Sequence, residues 1–137
     1  MKIVSACLAG INCRWDGKSK PCKKVMELVA KGEAIPVCPE QLGGLTTPRA
    51  QSEIRGRKIF TINGQDVSPQ CQKGAKEALK IAKMAKCKEA ILKSNSPSCG
   101  VGKVYDGTFS GKLISGDGTF TKLLRKNGIK VKTEKEI

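Results

Sequence analysis

Apolar residues recur along this chain with two periods, and turn residues mark the places where the period changes. Lys2-Ile3-Val4-Ser5-Ala6-Cys7 reads as a short buried strand. It runs into a loop, Leu8 to Lys20, marked by Gly10, Asn12 and Asp16-Gly17. A helix is expected from about Pro21 to Lys31. Cys22, Val25, Met26 and Val29 fall at i, i+3, i+4 and i+7, Pro21 suits the first helical position, and Gly32 suits the residue past the end. Ala34-Ile35-Pro36-Val37-Cys38 reads as a second strand, and Pro39 to Glu53 as an irregular stretch.

The second half repeats the theme. Ile54 to Ile62, closed by Asn63-Gly64, suggests a hairpin around Arg55-Gly56. Residues 68–86 give the clearest helix, with Ser68 as N-cap and Pro69 as first residue. Cys71, Ala75, Ala78, Leu79, Ala82 and Ala85 make one face; Lys73, Lys76, Lys80 and Lys83 make the opposite one. Glu89 to Lys93 is a third strand, leading into the loop Ser94-Asn95-Ser96-Pro97-Ser98-Cys99-Gly100. Thr119 to Lys126 is the last helix and Ile129-Lys130-Val131 the last short strand, with the charged end, Lys130 to Ile137, expected to fray. Strands alternating with helices favour one α/β domain over residues 1–137. It should have a mostly parallel central sheet flanked by helices, a Rossmann-like three-layer arrangement.

Composition changes this picture little. A chain of 137 residues can bury about two-thirds of its unfolded surface. Aromatics make up only 4%, so the core must come from Val, Ile, Leu, Ala and Cys. No run approaches the ~20 apolar residues of a membrane span, and Met1 to Ala6 is too short and too soon interrupted for a signal peptide. A cytoplasmic protein with no membrane partner is expected. Charge adds more. There are 26 Lys plus Arg against 12 Asp plus Glu, a formal net charge of +14. Such a balance favours anionic partners. Yet Trp15, Phe60, Tyr105, Phe109 and Phe120 are too few for a base-stacking platform, so nucleic acid is a possible partner but not the favoured one.

Cysteine is where chemistry enters. Seven cysteines, an odd number without an export signal, do not read as a disulfide framework. The chain has no histidine, which removes the usual general base and the commonest nitrogen ligand. Cys22, Cys71 and Cys87 read as packing residues, because free cysteine behaves as a small hydrophobe. Cys7, Cys38 and Cys99 differ: each lies at or just beyond a strand's carboxyl end, in loops marked by Gly or Pro. In an open parallel sheet those ends line one edge, where ligands bind. Three converging thiolates suit a soft metal or an iron–sulfur cluster, or they are buried packing residues. A structural zinc site normally has four ligands and a close Cys-x2–4-Cys pair, which this sequence lacks. Cys13, six residues after Cys7, is a possible fourth ligand, a resolving thiol or a bystander.

Other residues near these cysteines carry two readings each. Glu40 can move protons beside a metal or cap a helix. The hydroxyls of Ser96 and Ser98 can bond a substrate or shape the turn around Pro97. Gly43-Gly44 and Gly100-x-Gly102 can admit an anion to backbone amides, though glycine pairs alone are weak signals. Arg49 and Lys93 can balance cluster charge or serve as surface groups.

These motifs carry a resemblance. Ser5-Ala6-Cys7-Leu8-Ala9-Gly10, Cys13-Arg14-Trp15-Asp16-Gly17, Cys38-Pro39-Glu40 with Gly43-Gly44-Leu45 and Pro48-Arg49, Leu92-Lys93 with Ser96 to Gly100, and Tyr105 to Phe109 are similar to the domain-of-unknown-function 523 family. The thiouracil desulfidases belong to that family, and the similarity runs over nearly the whole chain. The resemblance implies a [4Fe-4S] cluster held by Cys7, Cys38 and Cys99, with one iron open to the sulfur of a thiolated nucleobase such as 2-thiouracil. It implies a non-redox desulfuration giving the oxo base and hydrosulfide, with Glu40 as acid–base residue and Ser96 at the substrate. Trp15, where the family more often has Tyr, and Ala50-Gln51, where a further proline is usual, border the expected pocket. Two other functions stay open: a cluster-binding or sulfur-carrying protein without turnover, and a basic nucleic-acid-binding domain with structural cysteines. Oligomeric state is not readable from the sequence.

Overall fold

The computed structural model describes residues 1–137. Its centre is a four-stranded, all-parallel sheet. The strands are β1 (Lys2–Ser5), β2 (Ala34–Val37), β5 (Glu89–Leu92) and β8 (Lys130–Thr133), in the order β2-β1-β5-β8. Strand side chains alternate between two buried layers, as the period of two requires. Ile3, Ala90 and Leu92 face the core formed with α3 (Ser68–Met84) and α4 (Thr119–Lys126), where Phe120 and Leu124 are fully enclosed. Val4 and Ile91 face the other layer, with Val25 of α1 (Lys23–Ala30) and Leu8. The result is the expected three-layer α/β arrangement. Burying a side chain such as Phe120 stabilises it by about 1.5–3 kcal/mol.

The sheet order matters for the site. From β1 the chain crosses to β2 on one side and later to β5 on the other. The strand order therefore reverses at β1, and in such sheets the crevice at the reversal takes the ligand.

One turn of helix, α2 (Pro39–Leu42), follows β2 and packs backbone to backbone on α3. A Cβ at Gly74 would overlap the Pro39 carbonyl, and a Cβ at Gly43 would overlap the Gln70 carbonyl. Gly43 and Gly74 thus work as contact points, and the N–H groups of Gly43 and Gly44 donate to Pro39 O (2.9 Å) and Gln41 O (3.0 Å) within the helix turn instead of facing an anion. Gly100 is likewise hemmed in by the Ser96 and Lys103 carbonyls.

Two small antiparallel pairs complete the fold. The hairpin of β3 (Ser52–Arg55) and β4 (Lys58–Thr61) turns at Gly56, whose φ is +64°. β6 (Lys103–Tyr105) pairs with β7 (Leu113–Ser115).

Several elements differ from the sequence reading. Helix α1 begins at Lys23, not Pro21; Cys22 is its half-buried N-cap residue, Val25 and Val29 pack inward as expected, and Leu28 does so in place of Met26, which is exposed. Ser68 is not the N-cap of α3. It lies in the first turn, and its hydroxyl accepts from Ile59 N–H at 2.7 Å, tying the helix to β4. The C-terminus does not fray. Residues 130–133 complete the sheet, and Thr133 caps a short 3-10 turn, Glu134–Glu136. Helix α2 and the β6–β7 pair lie in stretches read as irregular or left unassigned. The lysine face of α3 is exposed as expected. No helix is long and apolar enough to cross a membrane.

Candidate functional site

A cavity of about 360 Å³ lies at the carboxyl edge of the parallel sheet. Cys7 reaches it from a 3-10 turn, Ala6–Ala9, directly after β1. Cys38 reaches it from the residue that caps α2, directly after β2. Cys99 reaches it from the loop after β5. Three neighbouring strands therefore each deliver one thiol to one cavity, as the strand-end reading expects. Cys13 lines the same cavity and is 2% exposed. Cys22, Cys71 and Cys87 do not line it, and no cysteine is in a disulfide.

The thiols sense one another. Burial pushes the Cys99 thiol up to about 12. The hydrogen bond with Cys13, together with burial, holds Cys38 well above the ordinary thiol value. At Cys13 the bond from Cys38 lowers the pKa, but the bond with Cys7 and burial outweigh it and lift the thiol to about 11. These groups keep their protons at neutral pH until a cation takes the thiolates, so loading must release protons.

The Cys99 loop is held by the start of α4. Thr119 N–H donates to Pro97 O at 2.9 Å, Phe120 N–H to Ser98 O at 2.9 Å, and the Thr121 hydroxyl to Cys99 O at 3.1 Å. Within the loop, the Ser96 hydroxyl oxygen accepts from the N–H groups of Ser98 and Cys99, both at 3.1 Å. Ser96 therefore shapes the turn and also faces the cavity, with its own hydrogen free to donate outward. Ser98 is 0% exposed and does not reach the cavity.

Glu40 stands two residues after Cys38, in the first turn of α2, and lines the cavity. Arg49 grips it: Nε donates to Oε2 at 3.2 Å and Nη2 lies 3.1 Å from the same oxygen. Nη1 of Arg49 also donates to the carbonyls of Cys13 (3.1 Å) and Thr46 (3.2 Å). The pair is largely enclosed, at 9% and 15% side-chain exposure, so its attraction is screened less than a surface pair's. Oε1 of Glu40 makes no such bond and is left for chemistry. Lys93, the other basic candidate, bonds the Ser94 carbonyl and hydroxyl and lies 3.5 Å from Glu134.

The opposite wall combines Trp15 and the Tyr105–Phe109 motif with Glu53 and Arg55, whose roles sequence reasoning did not single out. Glu53 of β3 lines the cavity and accepts from the N–H groups of Gly107 (3.0 Å) and Phe109 (3.1 Å) through Oε1. Arg55 donates to Gly107 O at 3.2 Å from the same hairpin. Together they fix the 105–111 loop, which brings Tyr105 and Phe109 to the cavity. Trp15 borders it too. The available signal was weak: a carboxylate inside an alternating strand, with glycine and aromatic residues about fifty positions later.

The donor set fits an iron–sulfur cluster. Three thiols on separate strand ends surround one cavity, with no imidazole anywhere in the chain. No three Cys, Asp or Glu side chains cluster tightly enough for a single metal ion. A cubane presents its irons at separate corners, so its thiolates stand farther apart than those around one ion. Cys7, Cys38 and Cys99 are the residues that would hold it.

Comparison with known proteins identifies the family and the fold. The 2-thiouracil desulfurase family matches residues 3–136. The chain belongs to that family. It is 43% identical to the uncharacterised protein YbbK of Bacillus subtilis (strain 168), over all of this chain and 97% of that protein. Among solved structures it is similar to a [4Fe-4S]-dependent thiouracil desulfidase, TudS, with a TM-score of 0.94 and 42% identity, covering 98% of this chain and 91% of that one. The 2-thiouracil desulfurase family assignment thus agrees with the parallel sheet and with the family expected from the motifs.

Proposed function

We propose that this chain is a desulfidase, with residues 1–137 as one catalytic domain. It converts a thiolated nucleobase such as 2-thiouracil into the oxo base and hydrosulfide. Cys7, Cys38 and Cys99 hold a [4Fe-4S] cluster, which when bound supplies a Lewis-acidic iron for the substrate's sulfur. The observation that carries this reading is the meeting, in one cavity, of three strand-end thiols with Glu40 and Ser96.

The chain's own groups divide the remaining work. Oε2 of Glu40 is engaged by Arg49, so Oε1 takes the proton from water as the water oxygen adds to the thiocarbonyl carbon. The carbon–sulfur bond then breaks, sulfur leaves with the electron pair of that bond, and the remaining hydroxyl proton goes to the departing sulfur to give hydrosulfide, while Glu40 returns its proton to solvent. Water replaces sulfide at carbon, so no oxidant or reductant is consumed. The Ser96 hydroxyl, already accepting two N–H bonds, donates its hydrogen to the base and orients it. Glu53 and the 105–111 loop close the far side. Cys13 remains a possible further sulfur ligand. Seven free cysteines fit a reducing compartment, so we place the enzyme in the cytoplasm.

The test is turnover in 18O-water. The holoenzyme should release sulfide and uracil in equal amounts from 2-thiouracil, with one 18O in the new carbonyl. Unlabelled uracil, or a requirement for an added reductant, would contradict the mechanism.

A further inference from the structure

Three cations line the cavity, and each already has a carboxylate partner. Arg14 pairs with Asp16 at 3.3 Å, Arg49 with Glu40 at 3.1 Å and Lys93 with Glu134 at 3.5 Å. Glu53 lines the same cavity and pairs with none of them. Its direction is set by its strand. Side chains of β3 alternate, so Ile54 packs on the small core of Ile59, Val67 and Cys71 while Glu53 turns to the other face.

The two oxygens of Glu53 are used unequally. Oε1 accepts from Gly107 N–H at 3.0 Å and from Phe109 N–H at 3.1 Å. Oε2 makes no hydrogen bond within the chain. The enclosed side-chain atoms that lack a partner are Gln70 Oε1 and Ser98 Oγ, so Glu53 Oε2 is not enclosed: it is open, on a residue that lines the cavity. A carboxylate only accepts, and with the cations committed elsewhere its open oxygen is matched by a neutral donor. The desulfuration described above gives it no task, since Glu40 moves the proton.

We propose that Glu53 determines specificity by accepting, through Oε2, a ring N–H that flanks the thiocarbonyl, so that the substrates are cyclic thioamides or thioureas with a free N–H. This rests on the desulfidase reading of the cavity. In 2-thiouracil both ring nitrogens beside the thiocarbonyl carry hydrogen. One of them donates to Oε2 while Oε1 keeps its bonds to the 105–111 loop. The same carboxylate thereby joins the base to the loop that brings Tyr105 and Phe109 to the cavity. A ring nitrogen that is methylated offers no donor and leaves the oxygen unpaired. A site built to bond a substrate N–H rejects the analogue that lacks it.

The experiment uses the full chain, reconstituted anaerobically, and compares kcat/KM for 2-thiouracil and 1,3-dimethyl-2-thiouracil, which has no N–H. Wild type should prefer 2-thiouracil by about tenfold or more, the scale of one charge-assisted hydrogen bond. Methyl groups also add bulk, so the variants decide. Glu53→Gln keeps the size and can turn its amide oxygen to the loop and its NH2 group to the cavity. It should lose most of that preference, through a higher KM for 2-thiouracil. Arg55→Gln is the control. It loosens the same loop at Gly107 O from outside the cavity, so it should affect both substrates alike and keep the wild-type preference. An unchanged preference in Glu53→Gln, or an equal fall in Arg55→Gln, overturns the inference and leaves the desulfidase reading intact. A wild type that releases sulfide from neither substrate overturns the desulfidase reading. Calorimetry with uracil and 1,3-dimethyluracil tests the contact without turnover. Uracil should bind wild type about tenfold or more tightly than its dimethyl form, and Glu53→Gln should close the gap. Equal affinities in wild type overturn the inference even where Glu53→Gln fails to fold.

Discussion

The cavity has two walls of different construction. The sulfur wall rises from three adjacent parallel strands, and its side chains are set by sheet register and by the α2–α3 glycine contact. The opposite wall is an antiparallel hairpin and a loop, joined by bonds from Glu53 and Arg55 to backbone groups. The first has no freedom to move without disturbing the core. The second is tied down by a few polar contacts, which can be changed while the core stays intact. Rigidity is thus concentrated where the proposed metal ligands need fixed geometry, and adjustability where the proposed substrate must be recognised.

This contrast can be broken most severely at Gly74. A side chain there meets the Pro39 carbonyl, so Gly74→Val should cost about 3 kcal/mol or more, the range of serious overpacking and backbone strain. Thermal unfolding and iron content should fall together. A cluster of wild-type stability in that variant would mean that the α2–α3 contact does not hold the sulfur wall.

Next come the ligands. Cys38→Ala or Cys99→Ala should abolish a stable cluster, whereas Cys71→Ala, fully buried but packed against Ile59 and Val67 away from the cavity, should keep it. Loss of stability there should be about 1–2 kcal/mol, read by chemical denaturation. The sulfur wall should also carry a pH signature. Burial raises Cys99 from 9.0 to about 12. The protonated thiol therefore supports the metal-free fold fully below pH 9. That support is lost as pH rises from 9 toward 12, because the unfolded thiol ionises first. Cluster loading, which needs thiolates, should grow more complete over the same range, followed by absorbance against pH.

Glu40→Gln keeps the shape and removes the base. It should lower kcat by about 10²–10⁴ with cluster content unchanged. Arg49→Lys should lie between wild type and Arg49→Ala, because one ammonium cannot copy the guanidinium's contacts to Glu40, Cys13 and Thr46. Smallest is the far wall. Glu53→Gln weakens two N–H bonds to the 105–111 loop and should raise KM by about tenfold or less, the scale of one charge-assisted bond, with kcat and cluster unchanged.

The same contrast explains what the sequence disclosed. Ile3-Val4, Ala90-Ile91-Leu92 and the apolar face of α3 follow clean periods because their burial is repetitive. The strand-end cysteines became visible once those strands were placed. Helix α2 did not, since four residues closed by Gly43-Gly44 are too few to show a period. Strands β6 and β7 are three residues each, and β7 is exposed throughout, so no alternation marks them. The tail read as frayed because its charges are many. Glu134 is held instead by Ser94 N–H, forty residues away, a contact no local pattern encodes. Arg49 stood out only as a cation; its grip on Glu40 depends on how the 43–49 loop returns.

The most direct measurement is sulfide release from 2-thiouracil by anaerobically reconstituted wild type and Cys99→Ala side by side, with iron counted in both. Wild type should bind one [4Fe-4S] cluster per chain and release sulfide and uracil equally, while Cys99→Ala should do neither. A colourless wild-type protein, or a Cys99→Ala variant that turns over like wild type, would contradict the account.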